Sequence, residues 1–359
     1  MKIPALFCAL FTAITLLLPV FALKPGTEAA HSEVSPSGEN IFSPVSPAAQ
    51  TGASPAPAPA PGTDRTGSLP VFHTAGSFRL LDRSTGKIME LSEEEYVLGA
   101  LAAEMPPTFH PEALKAQAVA AHTYALRCRD DQSENPDPEL LGADLSVNPS
   151  GWEGYVTEQQ ARERFGENFE LYWGRIRDAA EEAGNLVLLY DGEPIAAAYH
   201  AISAGSTEGA ENVWSRALDY LVPVESPGDL LAPDYETVVT FSTEQTENIL
   251  KAAYPGIILP GDRRDWIRVV SRSQSGYVLT ADAGDIQVSG QDLRTLFGLR
   301  SSCFTVSYTL DTFTFTVKGY GHGVGLSQYG ADYMARQGSS FREILAHYYS
   351  GAELVQSAR

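Results

Sequence analysis

Two periodicities alternate along this chain, and they predict its elements. In FRLLDRSTGKIMELS (78–92) apolar and polar positions trade over short runs around a Ser-Thr-Gly turn, the pattern of two short strands. Ser92 followed by Glu95 forms a capping box ahead of EEEYVLGALAAEM, which predicts a helix that Met105-Pro106-Pro107 stops. Pro111 opens a second helix, PEALKAQAVAAHTYALRCR (111–129), whose alanines favour the helix and permit close packing. Residues 130–157 are polar, with Gly, Pro and Asn, and read as a long loop. A helical pattern covers 158–183, strands follow at 185–190 and 194–200, and 201–216 reads as a loop. Further strands are predicted at 236–241, 266–272, 276–281 and 312–318, with helices at 243–253 and 290–297. A Gly-rich loop (319–330), a short helix and a final helix near 340–348 close the chain. There is no internal repeat. Mixed helices and antiparallel-rich sheets predict an α+β fold rather than a regular parallel α/β one.

Upstream of Val71 the pattern changes. After Lys2, residues 3–23 carry no charge and are long enough to cross a bilayer as a helix. Val20 and Ala22 are small enough for a signal-peptidase site, so a cleaved signal peptide stays open beside a retained anchor. Residues 24–69 are rich in Pro, Ala, Ser, Gly and Thr, including SPAPAPAPG (54–62), and predict an extended tether. The expected organisation is a membrane segment or signal peptide (1–23), a tether (24–69) and one globular domain (70–353). The expected location is the cell membrane, single-pass with the domain extracytoplasmic, or outside the cell if the segment is cleaved.

Charge and cysteines narrow the chemistry. With 45 acidic and 25 basic side chains the net charge is -20, which argues against a nucleic-acid partner. Cys8, Cys128 and Cys303 form no CxxC pair. A Cys128–Cys303 disulfide is open, although two isolated buried thiols are the plainer reading. His110, His122, His200, His322 and His347 are scattered, without HExxH, so no metal or other cofactor is expected. No G-x-S-x-G elbow is present.

Four segments could carry chemistry. Glu104 ends a small-residue helix before a proline break, where partial desolvation and the negative helix end both raise a carboxyl pKa. It could serve as a general acid, or simply point to solvent or pair with Lys115. Lys115, His122 and Arg129 are spaced by seven on the next helix, with Gln117 and Tyr124 on a neighbouring line. Such a stripe suits the wall of a sugar cleft, or an ordinary solvated face. YHAISAGSTEGAENVW (199–214) ends a strand with a small-residue loop rich in donors. In KGYGHGVGLSQYGADYMA (318–335) alternate glycines either expose His322 to a ligand or let strands cross closely, and Ser327 is placed to cap a helix. The spacing is not that of a phosphate loop.

YVLGALAAEMPPTFHPEALKAQAVAAHTYAL (96–126), the 199–214 segment and GYGHGVGLSQYGADYMA (319–335) resemble, in this order, the hallmark regions of the stage II sporulation protein D family, shared with amidase-enhancer relatives. The similarity spans roughly 75–350. It implies a membrane-anchored lytic transglycosylase with a glycan-binding cleft. Such an enzyme cuts peptide-free peptidoglycan strands between N-acetylmuramic acid and N-acetylglucosamine, leaving 1,6-anhydromuramic ends, during engulfment in sporulation. The glutamate of the E-M-P motif, Glu104, would be the acid/base. Lys115, Gln117, His122, Tyr124, His200, Ser203, His322, Ser327 and Gln328 would hold substrate. The implied partners are glycan strands and a cell-wall amidase or endopeptidase; the alternative is a non-catalytic glycan-binding enhancer of an amidase. Three departures stand out. His122 replaces the usual arginine, and HAISAG replaces H-S-T-S-G-G. The loop 130–157, where some relatives hold zinc, has neither Cys nor His, so no zinc is expected there.

Overall fold

Alanine puts one helix at the centre of this protein. In the computed structural model, which describes residues 69–358, helix Pro111–Glu134 is buried over most of its surface. Ala113, Ala116, Ala118, Ala120, Ala121 and Ala125 are fully buried. Small side chains let four helices approach it: Glu93–Glu104, Phe169–Ala183, Gln328–Arg336 and Phe341–Tyr348. Pro111 sits in its first turn, and His110 caps it by accepting from the Glu112 N–H at 3.3 Å.

Around this helix lie two sheets. One has the order Val71–His73, Glu353–Ala358, Leu186–Tyr190, Glu193–Pro194, parallel at the first pairing and antiparallel at the other two. The other joins Lys87–Ser92 and Ser77–Asp82 antiparallel, with Leu145–Val147 added in parallel. Together with the five helices they enclose the main core.

A second core is built almost wholly from residues between 236 and 318. Glu236–Ser242, Thr312–Lys318 and Phe304–Thr309 form one antiparallel sheet, with Thr312–Lys318 central. Ile267–Arg272, Val278–Ala283 and Ile286–Ser289 form another. Helices Thr243–Ala253 and Gly290–Leu296 pack on them. Phe304, Phe313 and Phe315 are buried at its centre. The chain therefore leaves the main core after about 231, builds this lobe and returns at Gly319.

The fold is α+β, as the alternating periodicities predict. Several boundaries move. The pattern at 158–183 is two helices, Glu158–Phe165 and Phe169–Ala183, because Gly166 ends the first with φ +53°. The predicted loop 130–157 contains the strand Leu145–Val147. The predicted strand 194–200 is broken into Glu193–Pro194 and Tyr199–His200. Short strands at Val71–His73, Ile286–Ser289 and Glu353–Ala358 lie outside the predicted elements, as does Phe304–Thr309.

The expected segment 1–23 and nearly all of the tether lie outside the described residues. Among the described residues no helix is long and apolar enough to cross a membrane, which corrects the single-pass membrane location expected above. The 24-residue helix Pro111–Glu134 has the length, but Lys115, Arg127, Arg129, Asp130 and Asp131 give it too much charge. The disulfide expectation resolves to its plainer alternative. Cys128 and Cys303 are both free and buried, one in each lobe.

Candidate active site

Sequence-local devices place Glu104. The Ser92–Glu95 capping box starts its helix. Pro106 then forces Met105 into an extended conformation (φ -115°, ψ 136°), so the helix stops at Glu104. Gly99, one face of the same helix, admits the segment 152–156 against its backbone. A Cβ there would meet Tyr155 Cε2 at 2.2 Å and the Val156 carbonyl oxygen at 2.5 Å. Val156 N–H bonds the Gly99 carbonyl at 3.2 Å, and this approach delivers Gly154 N–H to Glu104 Oε1 at 3.1 Å.

Glu104 lines a cleft of about 800 Å³ between the two cores. Tyr124, Tyr199, His200, His322 and Gln328 line it from the main core, and Arg294 and Arg300 from the second. The residue keeps partial access to the cleft while protein crowds its carboxyl. Burial pushes its pKa up to about 7. The Gly154 N–H and a Gln328 side-chain bond oppose that rise, and the charge of Glu153 adds to it. The carboxyl thus exchanges its proton near neutral pH.

The Gly-His loop and the middle segment are laced together. Tyr199–His200 pairs in parallel with Leu326–Ser327, and Ile202 and Tyr320 exchange backbone bonds at 3.0 and 2.7 Å. Gly319, Gly321, Gly323 and Gly325 all have positive φ. At Gly325 a Cβ would lie 2.1 Å from the Ala198 carbonyl, and at Gly321 2.7 Å from His200 Cβ. The glycines let the chains cross closely, and the crossing carries His322 to the cleft wall beside His200, ring centroids 5.6 Å apart.

The two histidines bond the backbone of one residue, Val324. His200 Nδ1 lies 3.1 Å from the Val324 carbonyl and therefore carries its proton there. His322 Nδ1 accepts from Val324 N–H at 3.1 Å. Burial pushes both rings down, His200 to about 4, and both are neutral imidazoles at pH 7. His200 Nε2 is left as a buried acceptor with no partner among the described residues.

The remaining predicted residues sort by place. Tyr124 sits edge-on to Tyr199, centroids 6.5 Å apart, in the cleft. Ser203 and Ser327 do not line it; both donate to buried Asp229, at 2.5 and 2.7 Å. Burial raises the Asp229 pKa, and its hydroxyl donors oppose the rise. Ser327 also caps its helix by accepting from Gly330 N–H. The seven-residue stripe is neither cleft wall nor solvated face. His122 is buried, with Nε2 3.3 Å from Glu93 and Nδ1 3.3 Å from the Leu186 carbonyl. Arg129 joins the same carboxylate at 3.2 Å. Burial pushes Glu93 up, but hydrogen bonds from His122, Thr74 and Gly76 prevail and hold it at about 2. Lys115 pairs with Glu112 at 3.0 Å and with Glu182, not with Glu104. Gln117 is fully buried, its amide without a partner among the described residues, and is not a cleft residue.

Sequence reading missed Gly154, Asp229, Arg294 and Arg300. Each stands in an unremarkable local pattern, and only chain crossings bring it to the site.

Comparison with known proteins shows what the chain is similar to. The stage II sporulation protein family profile matches residues 82–190, which hold Glu104 and Gly154. Stage II sporulation protein D of Bacillus subtilis is 33% identical over 290 residues, 81% of this chain and 79% of that protein. Its counterpart in Bacillus amyloliquefaciens is 35% identical over 292 residues, again 81% and 79%. The amidase enhancer of Bacillus subtilis is 26% identical over 313 residues, covering 72% of this chain and 40% of that protein. With the motifs in order and a third of positions identical over most of both chains, this protein belongs to the stage II sporulation protein D family.

Proposed function

We propose that this protein is a peptidoglycan lytic transglycosylase, with Glu104 acting first as acid and then as base. It cuts peptide-free glycan strands between N-acetylmuramic acid and N-acetylglucosamine during sporulation, after a cell-wall amidase has removed the stem peptides. The observation that carries the reading is a cleft carboxyl with a pKa of about 7, held by the Gly154 N–H and by Gln328. Protonated Glu104 gives its proton to the glycosidic oxygen as the C1–O bond breaks and an oxocarbenium-like centre develops. The resulting carboxylate takes the proton of the muramic C6 hydroxyl, whose oxygen closes on C1. One carboxyl completes the cycle, and the product carries a 1,6-anhydro end.

Glu153 lines the same cleft, but its Oε2 is engaged by Arg83 at 3.1 Å and Asn148 at 3.5 Å. Its charge disfavours ionisation of Glu104, which suits an acid that must start protonated. His200 Nε2 is an acceptor suited to orienting a sugar hydroxyl. Tyr124, His322 and Gln328 complete the positioning wall, with Ser203 and Ser327 acting through Asp229. Purified protein and Glu104→Gln, incubated with peptide-free strands, test the reading by mass analysis of the products. Anhydromuramic ends are expected from the first alone, and equal yields from both would refute the mechanism.

A second reading has one observation in its favour, the relative named amidase enhancer. A non-catalytic enhancer would bind glycan and stimulate an amidase equally well after Glu104→Gln.

A further inference from the structure

In a chain of net charge -20, arginines find carboxylates easily. Arg79 pairs with Asp144, Arg127 with Asp131 and Arg268 with Asp282. Arg164 pairs with none and lies over the Trp152 ring at 4.2 Å; Arg294 and Arg300 are further exceptions, and both line the cleft that holds Glu104, as Arg164 does. Among the described residues no carboxylate pairs with either. Arg294 stands on the helix Gly290–Leu296, fixed to the second core by fully buried Leu293 and by Gly290, where a Cβ would meet the Val278 carbonyl at 2.0 Å. Its guanidinium donates to Gln291 Oε1, at a long 3.4 Å. Arg300 lies over the Tyr320 ring at 4.4 Å and donates to the Asp234 carbonyl at 3.2 Å, while its Nε is buried without an acceptor. Arg294 lines the cleft together with His200 and His322, and its charge disfavours protonation of both rings. A desolvated guanidinium beside neutral imidazoles, without an anion, is a vacant half of an ion pair.

We infer that Arg294, supported by Arg300, recognises a free carboxylate on the glycan: the lactyl carboxylate of muramic acid, which exists only after the stem peptide is removed. This rests on the function proposed above and names the residue that makes it selective. With the peptide in place the lactyl group is an amide. It is neutral, offers one acceptor oxygen instead of two, and cannot engage the planar guanidinium fork. The second lobe thus reads the history of the strand, while the main core supplies the proton.

The test uses the full-length chain and two substrates: peptide-free strands, and the same strands with the lactyl carboxylate converted to its N-methylamide. The amide removes the charge and adds little bulk. Wild type is expected to prefer the free acid by roughly 100-fold in kcat/KM. Arg294→Met should bring that ratio to within a few-fold of one by losing activity on the acid alone. Arg294→Lys, which keeps charge without the fork, should fall between. Unchanged turnover of the amide by both variants shows an intact cleft. A wild-type ratio retained by Arg294→Met, or equal losses on both substrates, overturns the inference and leaves the proposed function standing. Binding of both strands to Glu104→Gln, with and without Arg294→Met, separates the two ideas. If wild type cleaves nothing, a free-acid preference in binding that disappears with Arg294→Met still supports carboxylate recognition. Equal binding of acid and amide overturns it.

Discussion

The two walls of the cleft are built on opposite principles. On the main-core side most polar groups are matched internally: Glu104 to Gly154 and Gln328, one nitrogen of each histidine to the Val324 backbone, both serines to Asp229. Its Glu104 carboxyl, pushed up to about 7, and its two neutral histidines share this wall with the internally matched Arg83–Glu153 ion pair. On the second-lobe side two permanent cations stand without carboxylates. A carboxyl that must hold a proton near pH 7 needs neutral, dehydrated surroundings, because an adjacent cation would favour its ionised form. A group that recognises an anion needs the reverse. Placing them on separate lobes lets one cleft have both.

The largest effect that would break this comparison is on chemistry. Glu104→Gln should lower the rate of anhydromuramic product formation by about 10³-fold or more, with glycan binding retained. An equal loss from Arg300→Met would erase the distinction between the walls. The wild-type kcat/KM should fall as pH rises past about 7, because ionised Glu104 cannot donate; a flat profile from pH 6 to 9 would place the proton elsewhere.

Next comes stability. Asp229→Ala strands the Ser203 N–H and two hydroxyls inside the main-core wall, at a cost of about 3 kcal/mol in urea unfolding. Arg300→Met, on the wall without carboxylate partners, should cost under about 1 kcal/mol. Glu104 itself lowers stability at alkaline pH. Its folded pKa is raised, so the native state holds the proton more tightly and loses stability as pH climbs from the ordinary carboxyl range through about 7. Glu104→Gln should therefore exceed wild type by on the order of 2 kcal/mol at pH 8, discounted for partial exposure, and match it near pH 4. Thermal melts at both pH values decide this.

Two smaller effects sharpen the picture. Gly99→Ala should push the 152–156 segment away, cost about 1–3 kcal/mol, and shift the alkaline limb of the pH profile as Gly154 leaves Glu104. Reductant should leave the melting temperature unchanged, since Cys128 and Cys303 are unlinked.

What was legible in the sequence was local. The capping box at Ser92 starts a helix, and the Pro106 stop fixes where Glu104 sits. What was misread depended on distant partners. The spacing of Lys115, His122 and Arg129 does put them on one side of a helix, yet their environment is set by Glu93 and Glu182, which no periodicity on that helix reveals. Leu145–Val147 and Glu353–Ala358 are strands because neighbours offer open edges, a non-local fact that a short segment does not record.

The sequence by itself determined the helix ends, the glycine alternation that permits close crossing, and the presence of a carboxyl at a desolvated helix terminus. These depend on capping, proline sterics and the missing Cβ of glycine, which act within a few residues. Only the tertiary structure decided that Glu104 meets Gly154 and Gln328, that Ser203 and Ser327 brace Asp229 rather than the cleft, and that Arg294 and Arg300 face it without carboxylate partners. Those outcomes depend on which surfaces the folded chain brings within a few ångströms, and burial and Coulomb interactions act through that proximity, whatever the separation along the chain.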